Sequence, residues 1–125
     1  NYVLTQGNLF SYLLFKDDVK NGIAEKTLSQ KLDKFLEKIN ASGKYLIAKG
    51  LLSEHLFSLF DEFLTKAIKS GFLKKDTNGI ITATEKLAAT NFRNGKDMRR
   101  RNTYLYHCNQ LKYYFSDLEK LYAEV

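Results

Sequence analysis

The sequence predicts a mainly α-helical fold that carries one two-stranded β-hairpin and ends in a long C-terminal helix. Three observations predict it. The 125 residues include no Pro and only 7 Gly, so long stretches run without a breaker. Apolar residues recur at helical spacing in several segments. And one stretch, Gly71 to Thr82, places a helix-stopping Gly, a β-rich run, an Asn-Gly turn and a second β-rich run in that order.

The first helix is expected from about Thr5 to Asp17, where Leu9, Phe10, Leu13 and Leu14 share a face that Tyr12 and Phe15 widen. Val19 to Ile23 reads as a connection, because Asn21-Gly22 ends helices. A second helix follows from about Ala24 to Ile39, with Leu28, Leu32, Phe35, Leu36 and Ile39 on one stripe and charges covering the rest. The short apolar run Tyr45 to Ala48 is either a strand or the first turn of a helix resuming after Gly50; periodicity does not separate the two. Ser53 is the expected N-cap of the next helix, which runs to Ser70 with Leu56, Leu59, Phe60, Phe63, Leu64, Ala67 and Ile68 on a broad apolar face. The hairpin pairs Phe72–Lys74 with Ile80–Thr82 around a loop from Lys75 to Gly79. A helix starting at Thr84 is expected to reach about Phe92, with Asn94-Gly95 ending it.

From Asp97 to Val125 no breaker intervenes. Tyr104, Cys108, Leu111, Phe115, Leu118, Tyr122 and Val125 alternate steps of four and three, a heptad seam on a single long helix over about 97–125. The seam either folds back on the domain or supports a homodimer through the C-terminal helix.

The size suits a single helical domain over residues 1–125. With no Met at the start, no secretory leader and one Cys, the chain is expected to be a cytoplasmic piece of a larger protein. No apolar run approaches the roughly 20 residues of a transmembrane helix.

No catalytic constellation is expected. His55 and His107 fall on different helices, and no His, Cys and carboxylate spacing suggests a metal or any other cofactor. His107 and Cys108 are consecutive on a helix and point about 100° apart, so they cannot exchange a proton. Cys108 reads as a small core residue. No glycine-rich phosphate loop is present.

Charge is more informative. The formal net charge is +6, and all four arginines lie between 93 and 101, making Arg93, Lys96, Arg99, Arg100 and Arg101 the candidate anion- or partner-binding residues. A helix running directly into such a hairpin is the sequence form of a winged helix, here over about residues 5–92, with Lys74, Lys75, Asn78 and Gly79 on the wing. In a groove-reading winged helix, the helix before the wing exposes bases and amides. Here that helix carries Asp61 and Glu62 on its polar face, which argues against reading a groove. Three arginines at the start of the expected last helix oppose its dipole and therefore ask for an acidic partner. Carboxylates of a neighbouring domain, an anionic membrane surface and nucleic-acid phosphate all qualify.

In order, the chain resembles the helical region that follows the catalytic domain in membrane-associated glycerol-3-phosphate acyltransferases. The likeness rests on the apolar helix at Asn8–Phe15, the link Gly22 to Leu28, the helix and hairpin at Ala67–Thr82, and an Arg-Asn motif followed by a His at Arg101-Asn102 and His107. The segment Phe92–Arg100 has no counterpart in that pattern, and arginines stand where aromatic residues are expected before Arg101. The resemblance implies a non-catalytic accessory domain, possessing no acyl-transfer His and Asp pair, that packs on a catalytic domain or sits peripheral to a membrane. A winged-helix nucleic-acid binder and a structural oligomerisation domain are the competing expectations.

Overall fold

A computed structural model describes residues 3–125. Helix accounts for 64% of it, in eight α-helices among the described residues. Strand β1 (Val3–Leu4) leads into α1 (Gln6–Leu14), then α2 (Asp17–Asn21), β2 (Ile23–Ala24) and α3 (Glu25–Ser42). Strand β3 (Leu46–Ile47) and a short 3-10 turn (Lys49–Leu52) precede α4 (Leu56–Lys69), β4 (Leu73–Lys75) and β5 (Ile80–Ala83). The chain ends with α5 (Glu85–Ala88), α6 (Gly95–Arg101), α7 (Thr103–Asn109), a 3-10 turn (Lys112–Tyr114) and α8 (Phe115–Tyr122).

Helix α1 starts with a reciprocal cap. Thr5 Oγ1 accepts from the Asn8 amide, and Asn8 Oδ1 accepts from the Thr5 amide at 2.9 Å, satisfying two of the donors a helix start leaves open. Every residue from Asn8 to Leu14 is buried, so α1 is the central helix rather than an amphipathic surface one. Phe10 meets Phe60 and Phe63 edge-on at 5.0 and 5.4 Å between ring centroids, tying α4 to it. Helix α3 buries the stripe Leu28, Leu32, Phe35, Leu36 and Ile39, as its spacing predicts.

The end of α4 is written in its sequence. Gly71 takes φ +81°, its amide bonds Ile68 O, and the Phe72 amide reaches back to Ala67 O. This paired closure satisfies two orphan carbonyls and aims the chain into β4. The antiparallel hairpin follows in the register Leu73 to Ala83, Lys74 to Thr82 and Lys75 to Ile81, so its first strand begins and ends one residue later than expected. Asp76 Oδ1 accepts from the Asn78 and Ile80 amides and closes the turn with Gly79. A third strand escaped the sequence reading. β2 pairs antiparallel with β5, Ile23 opposite Ile81, giving the order β2-β5-β4. At two residues, β2 is too short to show alternation. The open question at Tyr45–Ala48 resolves as strand: Leu46 and Ile47 pair in parallel with Val3 and Leu4.

Four expectations need correction. The first helix does not reach Asp17: α1 ends at Leu14, and a separate helix, α2, occupies Asp17–Asn21 and takes in part of the expected connection. Ser53 does not cap α4, which begins at Leu56; its hydroxyl instead accepts from the His55 amide in the preceding turn. Helix α5 stops at Ala88, and Asn94-Gly95 starts a helix instead of ending one, because Asn94 Oδ1 accepts from the Asp97 amide at 2.9 Å. The long helix over 97–125 does not exist as one rod. It is broken at Asn102, whose backbone sits at φ −144° and ψ 77°, and again around Leu111. Asn102 is fully buried, its side-chain amide donating to Leu87 O at 2.9 Å and to Lys86 O and Ala89 O at longer range, while its Oδ1 caps α7 by accepting from the Leu105 amide. Straightening the helix would leave the buried Leu87 carbonyl without its donor.

The heptad seam is occupied within the chain. Tyr104, Cys108, Leu111 and Leu118 are core residues, and Phe115, Tyr122 and Val125 pack against the same core. Burial pushes the Cys108 thiol up to about 12, which makes it an inert apolar group. Helix α8 is held from both sides by tyrosine–carboxylate clasps. The Tyr122 hydroxyl donates to Asp18, which also pairs with Lys31 at 2.9 Å, and the Tyr45 hydroxyl donates to Asp117 at 2.6 Å, beside Lys44 at 3.0 Å.

Candidate functional site

The basic segment folds around one acid. Asp97 sits at the third position of α6, and its carboxylate accepts from the Arg93 amide at 3.1 Å while Asn94 caps the helix from outside. Three side chains converge on the same carboxylate: Arg93 Nε at 3.7 Å, Arg100 Nη2 at 3.4 Å and Arg101 Nη1 at 3.4 Å. The Asp97 side chain is only 2% exposed, whereas those of the three arginines are 81%, 72% and 57% exposed. The hydrogen bond from the Arg93 amide, helped by the guanidinium charges, holds the Asp97 carboxyl below its ordinary value against the opposing effect of burial. Asp97 is thus an anchor, and the arginines extend outward from it.

Two further arginine contacts fix the fan. Arg99 lies over the Tyr106 ring at 5.4 Å and Arg101 over the Phe92 ring at 5.3 Å. Arg93, Asn94, Lys96, Asp97, Arg99 and Arg100 line a concave cup of about 660 Å³. No carboxylate among the described residues pairs with Lys96 or Arg99. One buried acid therefore stands against four cations on the rim, and the cup keeps a surplus of positive charge.

The arginines do not oppose the helix dipole as the sequence reading supposed. With α6 ending at Arg101, residues 99–101 form its last turn, where positive charge is favoured. Of the five predicted residues, the structure brings Arg93, Lys96, Arg99 and Arg100 to one cup. Arg101 turns toward Asp97 and Phe92 and does not line it.

The wing residues are not part of this cup. Lys74 is exposed, Lys75 is tied to Glu25 at 2.8 Å, the Asn78 amide is engaged by Asp76, and Gly79 supplies a positive φ to the turn. Sequence reasoning missed Asn94, Asp97 and Asn102, which build the site, and Phe92 and Tyr106, which support its cations. The spacing Asn94-x-x-Asp97 is a helix-start signature that carried the first two. Asn102 stands in the Arg101-Asn102 motif, but a single Asn in a helical pattern does not announce the buried carbonyls it bonds.

Among the described residues, no group of three or more His, Cys, Asp or Glu is placed to hold a metal ion, and no helix is long and apolar enough to cross a membrane. Comparison of the chain with protein-family models, with curated proteins and with solved structures found no match.

Proposed function

We propose that this chain is a non-catalytic interaction domain with winged-helix-like architecture that binds an anionic group in the α6 cup. The observation that carries the reading is the convergence of Arg93, Lys96, Arg99 and Arg100 on one concavity whose only acid is buried and already engaged. Guanidinium forks match the paired oxygens of phosphate or carboxylate, and side chains already held by Asp97 and Tyr106 lose little freedom on binding. The order α2, β2, α3, α4, β4, β5 with sheet order β2-β5-β4 supports the winged-helix-like description. Titration with inorganic tripolyphosphate tests the cup: the Arg99→Ala/Arg100→Ala variant should bind about tenfold more weakly than the parent chain at low salt. Equal binding by the two overturns the reading.

The accessory role beside an acyltransferase-like catalytic domain is a narrower form of the same proposal, set in the cytoplasm or at a membrane's periphery. Its support is the order of elements and the Arg101-Asn102 motif, in which Asn102 acts as a buried cap. A parent polypeptide lacking an acyl-transfer His and Asp pair upstream would remove it. Groove reading by α4 is disfavoured, because Asp61 and Glu62 are exposed on it. Dimerisation through the C-terminal seam is disfavoured by the burial of that seam in the chain's own core.

A further inference from the structure

We infer that the cup is one end of a longer basic band that binds the phosphate backbone of double-stranded nucleic acid without reading its sequence. This rests on the anion-binding reading of the cup and extends it to a polymer.

The charge of the chain is segregated. Residues 63–75 and 86–101 together hold ten of the 20 Lys and Arg and one of the 14 Asp and Glu, the buried Asp97, while Glu62, Asp76 and Glu85 border them and Lys75 is paired with Glu25. The remaining residues hold ten cations against thirteen acids, so the rest of the molecule is net negative although the whole is +6. The two segments are joined by direct bonds. Lys86 Nζ donates to Ser70 O at 2.7 Å at the end of α4, and Thr84 Oγ1 donates to Gly71 O at 2.6 Å. The carbonyls of Lys86, Leu87 and Ala89 accept from Asn102, where α6 ends. The end of α4, which carries Lys66 and Lys69, is thus bonded to α5 through Lys86, and α5 to the end of α6, the helix that carries the cup. A compact anion needs the cup alone; a row of cations across three elements suits a row of phosphates.

The surface chemistry selects among polyanions. Single-strand binders present bare aromatic faces for bases to stack on. Here Phe72 and Tyr104 are buried, and Tyr106 and Phe92 lie beneath arginines. Membrane-surface binding gains from apolar side chains inserted beside the cations. The exposed large hydrophobics Val3, Leu46, Leu52, Phe57 and Tyr113 all lie outside the two basic segments. Helix α4 carries no Arg, Asn or Gln to read base edges, so contacts made by Lys66 and Lys69 are with phosphate and the interaction tolerates any sequence.

The test is fluorescence anisotropy with a labelled duplex DNA of about 20 base pairs and mixed sequence, across a salt series. The expected slope of log affinity against log salt is about −4, a loss of roughly 250-fold between about 50 and about 200 mM salt. Lys66→Ala/Lys69→Ala, two exposed positions on α4, should reduce the magnitude of the slope by about 2, as should Arg99→Ala/Arg100→Ala in the cup. A second duplex of unrelated sequence should bind equally. If the α4 pair leaves duplex binding unchanged while the cup pair abolishes it, the band is wrong and the cup reading stands. If neither duplex nor tripolyphosphate binds at low salt, the cup reading fails with it. Preference for one sequence, or tighter binding to phosphatidylserine vesicles or to an acidic peptide than to the duplex, overturns the band. Circular dichroism of each variant shows whether it has folded.

Discussion

Asp97 and the pair Asp18 and Asp117 are all carboxylates held below their ordinary range, yet they serve opposite ends. Asp18 accepts first from the Tyr122 phenol and then pairs with Lys31, and Asp117 accepts from Tyr45 and pairs with Lys44. Each clasp pairs its acid with one lysine and one neutral phenol, with a second lysine, Lys16 or Lys120, nearby, and closes α8 on the body. Asp97 instead accepts from a backbone amide and holds three guanidiniums, which leaves cations over. A depressed carboxyl is therefore no mark of a functional site by itself. The surplus or balance of partners around it makes the distinction.

The largest effect tests what holds the charged region to the balanced one. Asn102 is the buried link between α5 and the α6–α7 corner, and Asn102→Ala removes one helix cap and leaves the buried Leu87 carbonyl without its donor. The expected cost is about 3–4 kcal/mol, read as a fall in Tm on the order of 10–15 °C. A change of under about 1 kcal/mol would mean water replaces the amide, and Asn102 would not be the link.

Next comes Asp97→Asn, which keeps an acceptor for the Arg93 amide and removes the charge. If surplus charge alone bound anions, this variant would bind tripolyphosphate more tightly. Preorganisation predicts the reverse, since three arginines lose the group that fixes them: affinity should fall about threefold despite the added positive charge. Tighter binding would assign Asp97 the same role as Asp18 and Asp117, a structural acid only.

The two regions also differ in how much the sequence reveals. Up to Thr82, α3, the end of α4 and the hairpin are legible because their information is local, an apolar stripe, a Gly and an Asn-Gly turn, whereas α2 and β2 are too short to show a period. Beyond Thr84 the heptad seam correctly marks which residues are buried, but not that the helix carrying them is broken. The breaks depend on Asn102 finding carbonyls thirteen to sixteen residues earlier, and on Asn94 meeting Asp97. The basic residues of the site were visible as a charge cluster. Their anchor was not, because Asp97 reads as a lone acid until the fold buries it.

The smallest effects sharpen the balanced side of the comparison. Tyr122→Phe removes the donor to Asp18 and should cost about 1 kcal/mol; Tyr45→Phe should cost about 0.5 kcal/mol, since the Lys44 and Asp117 pair is more open to water. The pH dependence separates these from mere packing losses. Burial, with the hydrogen bonds to Asp18 and Asp117, raises both phenols above their ordinary value of 10.0. Their contribution to stability is thus intact below pH 10 and falls as pH climbs above it, because the unfolded chain ionises first. The lowered carboxyls act in the other direction: their contribution is present above the ordinary value of 3.8 and is lost as pH falls below it toward the folded values. Urea midpoints measured from acid to alkali should therefore show both limbs in the parent chain. Tyr122→Phe should flatten the limb above pH 10 and shorten the acid one. Parallel curves for parent and variant would mean the phenol contributes packing alone, and the balance drawn between Asp97 and the clasps would rest on the lysines.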